Sequence, residues 1–208
     1  WISADEGCYR LSPASKPFAH FFHRPDQPQS LASNDVLALL ETRNGDLWVG
    51  TGDRGLTRLR PQGDGRYRYA HFSPENSPLT YPIVLSLTED RFGQVWANTF
   101  GGLYCFGPEE TPTLRAFRAG VDQALPLGSN YLYETIEDPQ GDLWACTYTS
   151  GISRIRREGQ QEISIEEIPP DPQNPFSLAS RRLKNAQTDA EGRLWFGDKR
   201  SISLAYLE

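Results

Sequence analysis

Short apolar runs and polar turns alternate along the chain, and the alternation has two periods. The shorter is that of β-strands. "VLALLE", Val36 to Glu41, is a mostly apolar run, as a strand buried on both faces should read. "TRNG" follows as a turn whose Gly45 predicts a positive φ. "LWVGT" is a second strand and "GDRG" turns the chain again. "LTRLR" alternates apolar and polar, which predicts a third strand exposed on one side. "PQGDG" is turn chemistry, "YRYAHF" is a fourth strand, and the Pro- and Ser-rich "SPENSPLTYP" leads into the next apolar run.

The longer period is carried by tryptophan. The five Trp stand at 1, 48, 96, 144 and 195, spaced 47, 48, 48 and 51 apart. A Gly lies three before Trp at Gly45, Gly93, Gly141 and Gly192, and a Leu seventeen before it at Leu31, Leu79, Leu127 and Leu178. The pairs Glu41-Thr42, Glu89-Asp90, Glu137-Asp138 and Thr188-Asp189 precede the turn glycines. A repeat of 20–50 residues predicts a solenoid or a propeller. Four short strands per repeat select the propeller: an all-β fold of four-stranded antiparallel blades. The Trp of each second strand is expected to lie between adjacent blades, where its large surface fills the gap between twisted sheets. Gly50 is expected to leave room for a neighbouring ring.

Residues 35–82, 83–130 and 131–182 read as whole blades, 1–34 as a second, third and fourth strand, and 183–208 as a first, second and third. That makes about four to five blades and eighteen strands, which fits neither four closed blades nor five. Uncovered blade faces and strand edges are costly, so an incomplete arc of a larger propeller is expected, with closure by another chain as the alternative.

Composition narrows the function. Aromatic residues are 12%, too many for a disordered segment. Lys and Arg number 21 against 27 Asp and Glu, a net charge of −6 that gives no electrostatic reason to expect nucleic acid. No run approaches the roughly 20 apolar residues of a membrane helix, so no direct membrane insertion by this segment is expected. The chain opens on Trp1 and has no Met, as an excised or processed piece would. Cys8, Cys105 and Cys146 sit in no CxxC motif and read as buried apolar side chains. No metal-binding spacing of His or Asp appears, and no cofactor is expected.

The segment Glu137 to Gly141 with Leu143, Trp144, Thr147, Gly151, Ile152, Arg154 and Ile155 resembles the two-component regulator propeller repeat. "SLASND" and "LPLGSN" are similar to that family's lead-in to the first strand. The resemblance runs through essentially the whole chain. The last unit departs from it, with Asp198 where Thr is usual and Ser201 where Gly is usual, and "TYPIV" replaces the usual lead-in of the unit before Trp96. The resemblance implies the periplasmic sensor portion of a membrane-bound bacterial receptor, a hybrid histidine kinase or a diguanylate cyclase, and implies sensing rather than catalysis. It also implies the remainder of the receptor, or another copy of the chain, as partner.

The acids Glu41, Glu89, Asp90, Glu137, Asp138 and Asp189 recur once per unit, which spaces them apart and favours turn-formers over paired glycosidase carboxylates. His20, His23 and His71 read as outer-rim residues. Strand direction gives a better site. Loops between second and third strands must share a face with the lead-ins to first strands. That face collects Asp53, Arg54, Phe100, Tyr148, Lys199 and Arg200, with Asn34, Tyr81, Asn130 and Arg181 at the lead-ins. Unlike the turn acids, these residues differ from unit to unit, as ligand-distinguishing loops on a rigid scaffold do. Asn34, Asp53, Arg54, Phe100, Tyr148, Arg181, Lys199 and Arg200 are therefore the candidate binding residues, for an oligosaccharide or other small polar ligand. A protein-interaction or oligomerisation platform is the alternative. A propeller lyase or hydrolase would need convergent acids or histidines, and the sequence offers dispersed ones.

Overall fold

The computed structural model describes residues 2–4, 7–11, 18–109, 114–121, 125–158 and 162–205; Trp1 lies outside them. Eighteen strands and no helix occur among the described residues. They form five antiparallel meanders. The first holds β1 (Ile2–Ala4), β2 (Gly7–Leu11) and β3 (Phe18–Phe21). The second holds β4 (Val36–Glu41), β5 (Leu47–Thr51), β6 (Leu56–Pro61) and β7 (Tyr67–Phe72). The third holds β8 (Val84–Glu89), β9 (Val95–Thr99), β10 (Gly102–Phe106) and β11 (Leu114–Phe117). The fourth holds β12 (Leu132–Glu137), β13 (Leu143–Thr147), β14 (Ile152–Glu158) and β15 (Glu162–Ile168). The fifth holds β16 (Asn185–Thr188), β17 (Leu194–Gly197) and β18 (Ile202–Ala205).

First strands pack against one another: β4 beside β8, β8 beside β12, β12 beside β16. The sheets therefore radiate from an inner edge, as propeller blades do. No comparable packing joins the first sheet to the fifth among the described residues, so the blades form an open arc.

The apolar core is a series of wedges between sheets. Trp96 of the third sheet is buried with Leu132, Leu143, Ala145 and Ile155 of the fourth. Trp48 stacks on Phe72 of its own sheet at 5.8 Å and meets Phe106 of the next at 5.3 Å. Trp144 packs with Leu194 and Phe196 of the fifth sheet. Trp195 departs from the expected burial: it is 36% exposed, because no further sheet among the described residues covers the outer face of the fifth. Gly50 makes room for an aliphatic group rather than a ring. A Cβ there would stand 2.7 Å from Val84 Cγ1 of the next blade.

The third strand departs from its alternating pattern. Leu56, Thr57, Arg58 and Leu59 of β6 are all buried. Arg58 earns its burial by donating from Nη1 to the carbonyl of Glu109 at 2.9 Å and lying over the Trp48 ring.

Turn chemistry ties Trp96, Trp144 and Trp195 to their blades, while Thr42 stands where the Asp would be before Trp48. Gly45, Gly93, Gly141 and Gly192 take φ of 85°, 76°, 98° and 80°. Asp90 Oδ1 accepts from Phe92 N and Gln94 N, both at 2.9 Å, while Oδ2 accepts from Trp96 Nε1 at 2.7 Å. Asp138 and Asp189 do the same for Trp144 and Trp195, each at 2.8 Å. The glutamates act differently. Glu89 accepts from Arg43 N and Glu137 from Arg91 N, each reaching back to the turn of the preceding sheet. All three cysteines are free and buried. Burial pushes the Cys8 thiol up to about 11 and that of Cys105 to about 12. They serve as small apolar groups.

Candidate functional site

The loops between second and third strands do meet the lead-ins, through one repeated backbone bond. Gly55 N donates to Pro82 O at 2.8 Å, Gly102 N to Asn130 O at 3.0 Å, and Gly151 N to Arg181 O at 3.0 Å. Each bond joins one sheet to the next and builds a continuous mouth along one face of the arc.

Three positions per blade recur in the loops and lead-ins that border this mouth. Four residues after Trp stand Gly52, Phe100, Tyr148 and Lys199. Thirteen before it stand Asp35, Ile83, Tyr131 and Arg182, and eleven before it Leu37, Leu85, Tyr133 and Lys184. A β-bulge falls on Leu37, Leu85 and Tyr133, since the ladder slips between Val36 and Ala38, Val84 and Ser86, and Leu132 and Glu134. A bulge leaves one residue unpaired and re-aims its side chain. The mouth thus changes along the arc: Gly52, Asp35 and Leu37 at the second sheet, Phe100 with two aliphatic residues at the third, three tyrosines at the fourth and three cations at the fifth.

The aromatic part is a contiguous row. Phe100 meets Tyr81 at 6.2 Å, Tyr131 at 5.6 Å and Tyr133 at 5.9 Å, with Tyr133 in turn 5.8 Å from Tyr148. Tyr81 and Tyr131 are exposed. Beyond them opens a cavity of about 410 Å³. Tyr133 and Tyr148 line it, with Arg182 and Lys184 from the fifth lead-in; Ser180 and the Asp198–Arg200 loop complete it. The Lys184 ammonium lies 5.0 Å from the Tyr133 ring centre and the Arg182 guanidinium 5.1 Å from that of Tyr148. Asp198 closes its own loop. Its Oδ1 accepts from Arg200 N and Ser201 N, both at 2.6 Å. Hydrogen bonding from the Ser180 hydroxyl, then from these groups, holds its carboxyl well below the usual carboxylate range.

Of the residues read from the sequence, Tyr148, Lys199 and Arg200 line this cavity, and Phe100 joins it through Tyr133. Arg181 is exposed beside it and lends its carbonyl to Gly151. Asp53 and Arg54 are exposed at the second sheet, away from the cavity. Asn34 is part of the framework: its Oδ1 accepts from His23 N at 2.6 Å, as Asn130 Oδ1 accepts from Ala119 N at 2.8 Å. Tyr133, Arg182 and Lys184 escaped the sequence reading. Their signal was the variation of the two positions eleven and thirteen before each Trp.

Fold and mouth together define an arc of β-propeller blades that carries its variable side chains on one face. Residues 30–53 match the family model of the two component regulator propeller, so the chain carries that repeat. No curated protein matches the chain. Among solved structures, the extracellular domain of the candidate one-component system BT4673 from B. thetaiotaomicron superposes with a TM-score of 0.74 at 24% identity, over 98% of this chain and 25% of that one. The extracellular domain of the candidate hybrid two-component system BT3049 from the same organism gives 0.53 at 20%, over 98% and 31%. A virginiamycin B lyase from Staphylococcus aureus gives 0.56 at 17%, over 85% and 58%. This chain thus spans a quarter to a third of the two extracellular domains. At these identities the likeness is one of fold.

Proposed function

We propose that the chain is the non-catalytic, ligand-sensing propeller part of an extracytoplasmic bacterial receptor of two-component type, in the periplasm, and that its variable mouth binds a carbohydrate or other small polar ligand. The observation that carries this is the contrast between positions. The glycine turns recur in the second to fifth sheets and the Asp–Trp clasp in the third to fifth, whereas the mouth positions vary along the arc and those of the fourth and fifth sheets line a cavity of ligand size. The two component regulator propeller repeat and the likeness to sensor extracellular domains support the same reading. Asp90 and Asp138 spend their carboxylate oxygens on backbone and indole N–H groups, which supports the non-catalytic reading. Calorimetric titration of the chain with a panel of oligosaccharides tests the proposal. Binding that Tyr148→Ala weakens at least tenfold is expected. Binding to this face by no member of the panel, nor by the intact receptor, overturns it.

A second reading, an interaction platform, is favoured by the outer face of the fifth sheet. Trp195 and Ile202 share that face, and Ile202 is 72% exposed. Sedimentation of the chain should then show self-association that Ile202→Glu abolishes.

A further inference from the structure

The four cations of the cavity share it with a single carboxylate, that of Asp198. Arg182, Lys184, Lys199 and Arg200 enter no ion pair among the described residues, while other arginines of the chain, such as Arg60 with Asp46 and Arg154 with Asp142, are paired. The single acid of the cavity, Asp198, is committed by Oδ1 to Arg200 N, Ser201 N and the Ser201 hydroxyl. A chain of net charge −6 therefore gathers an excess of positive charge in one concave place. Like charges crowded together repel, and a fold holds them so at a cost that a bound anion relieves.

The tyrosines bear on the same point. The rings of Tyr133 and Tyr148, which look like stacking platforms for a sugar, are already covered by Lys184 and Arg182. In that arrangement the rings fix the cations, and the N–H groups not directed at the ring remain for a ligand oxygen. The free aromatic surface is instead that of Tyr81 and Tyr131 around Phe100, one blade away.

We infer that the ligand of this mouth is acidic: a carboxylate-bearing sugar whose carboxylate sits among Arg182, Lys184, Lys199 and Arg200 while its neutral part extends toward Tyr131 and Phe100. This rests on the sensing proposal and names its ligand class. No bond is made or broken in the binding step; the carboxylate exchanges water for charge-assisted hydrogen bonds.

The test compares digalacturonate with galactobiose of the same linkage, by calorimetry on the chain at low and at physiological salt. Tighter binding of the uronate by at least tenfold, an affinity that falls with added salt, and loss of that preference in the Arg182→Gln, Lys184→Gln double variant are expected. These substitutions are at half-exposed or exposed positions, and a circular-dichroism melt checks that the variant remains folded. Equal binding of the two sugars overturns the acidic-ligand inference and leaves the sensing proposal standing. Binding of neither sugar, where other neutral oligosaccharides do bind, overturns the inference too. Sodium sulfate alone, binding as tightly as the uronate, would assign the cavity to a bare anion and overturn the sugar part.

Discussion

Asp90 shares its two oxygens among a turn, an indole and a neighbouring blade. Besides Phe92 N, Gln94 N and Trp96 Nε1 it accepts from the Arg157 guanidinium of the fourth sheet, and neither side chain of that pair is exposed. Arg157 also donates to Gln94 Oε1 at 2.6 Å and lies over the Phe92 ring. Removing one partner of such a pair strands a buried charge, so Asp90→Ala should cost about 3–5 kcal/mol in denaturant unfolding. Asp138→Ala, which breaks the same turn and indole bonds without a buried arginine, should cost about 1–3 kcal/mol. Asp189 makes the exposed version of the clasp. The Trp195 indole N–H, followed by the Arg193 guanidinium and backbone N–H groups, lowers its pKa from 3.8 to about 2. Lowering means that the folded state favours the carboxylate. The clasp therefore contributes fully above pH 3.8 and is lost as pH falls toward 2. An NMR titration of the Asp189 carboxyl should find its midpoint in that lower range, and Trp195→Phe should move it upward.

At the scale of the blade, stability rests on what lies between sheets. Trp96→Ala should cost about 3–5 kcal/mol, since the ring is fully buried against the fourth sheet. Trp195→Ala should cost under about 1 kcal/mol, because that ring is partly in water. Gly151 has φ of 92°, and a Cβ there would stand 2.5 Å from the carbonyl oxygen of Ile168. Gly151→Ala should then cost about 1–3 kcal/mol and lower the melting temperature, while also loosening its bond to Arg181. Much of this was legible in the sequence. Trp, turn glycine and turn acid recur at fixed offsets because each meets the same backbone in every blade. The mouth was legible only in part. Tyr133 sits on a bulge, which shifts the two-residue alternation by one, so a strand pattern assigns its side chain to the wrong face. Asn34 shows what a polar loop residue can also do, which the sequence pattern does not reveal: its Oδ1 caps the preceding strand by accepting from His23 N. Arg58 looked solvent-facing because its partners, the Glu109 carbonyl and the Trp48 ring, come from other strands and another blade.

At the scale of the whole molecule, the strand packing among the described residues runs from each sheet to its neighbours in the arc. Stability should therefore be graded along it, as in other repeat architectures. Amide exchange should be slowest in β9 and β13, which are covered on both sides, and fastest in β16 and β18. Uniform protection across all five sheets would contradict this. The bulge at Leu37, Leu85 and Tyr133 has a consequence for descent as well as for binding. A residue that leaves the hydrogen-bonded ladder can be exchanged by a single codon change without disturbing strand register or wedge. Duplicated blades can thus diverge in what they recognise while remaining interchangeable as building units, and transplanting one such residue between blades should retune preference and leave the melting temperature nearly where it was.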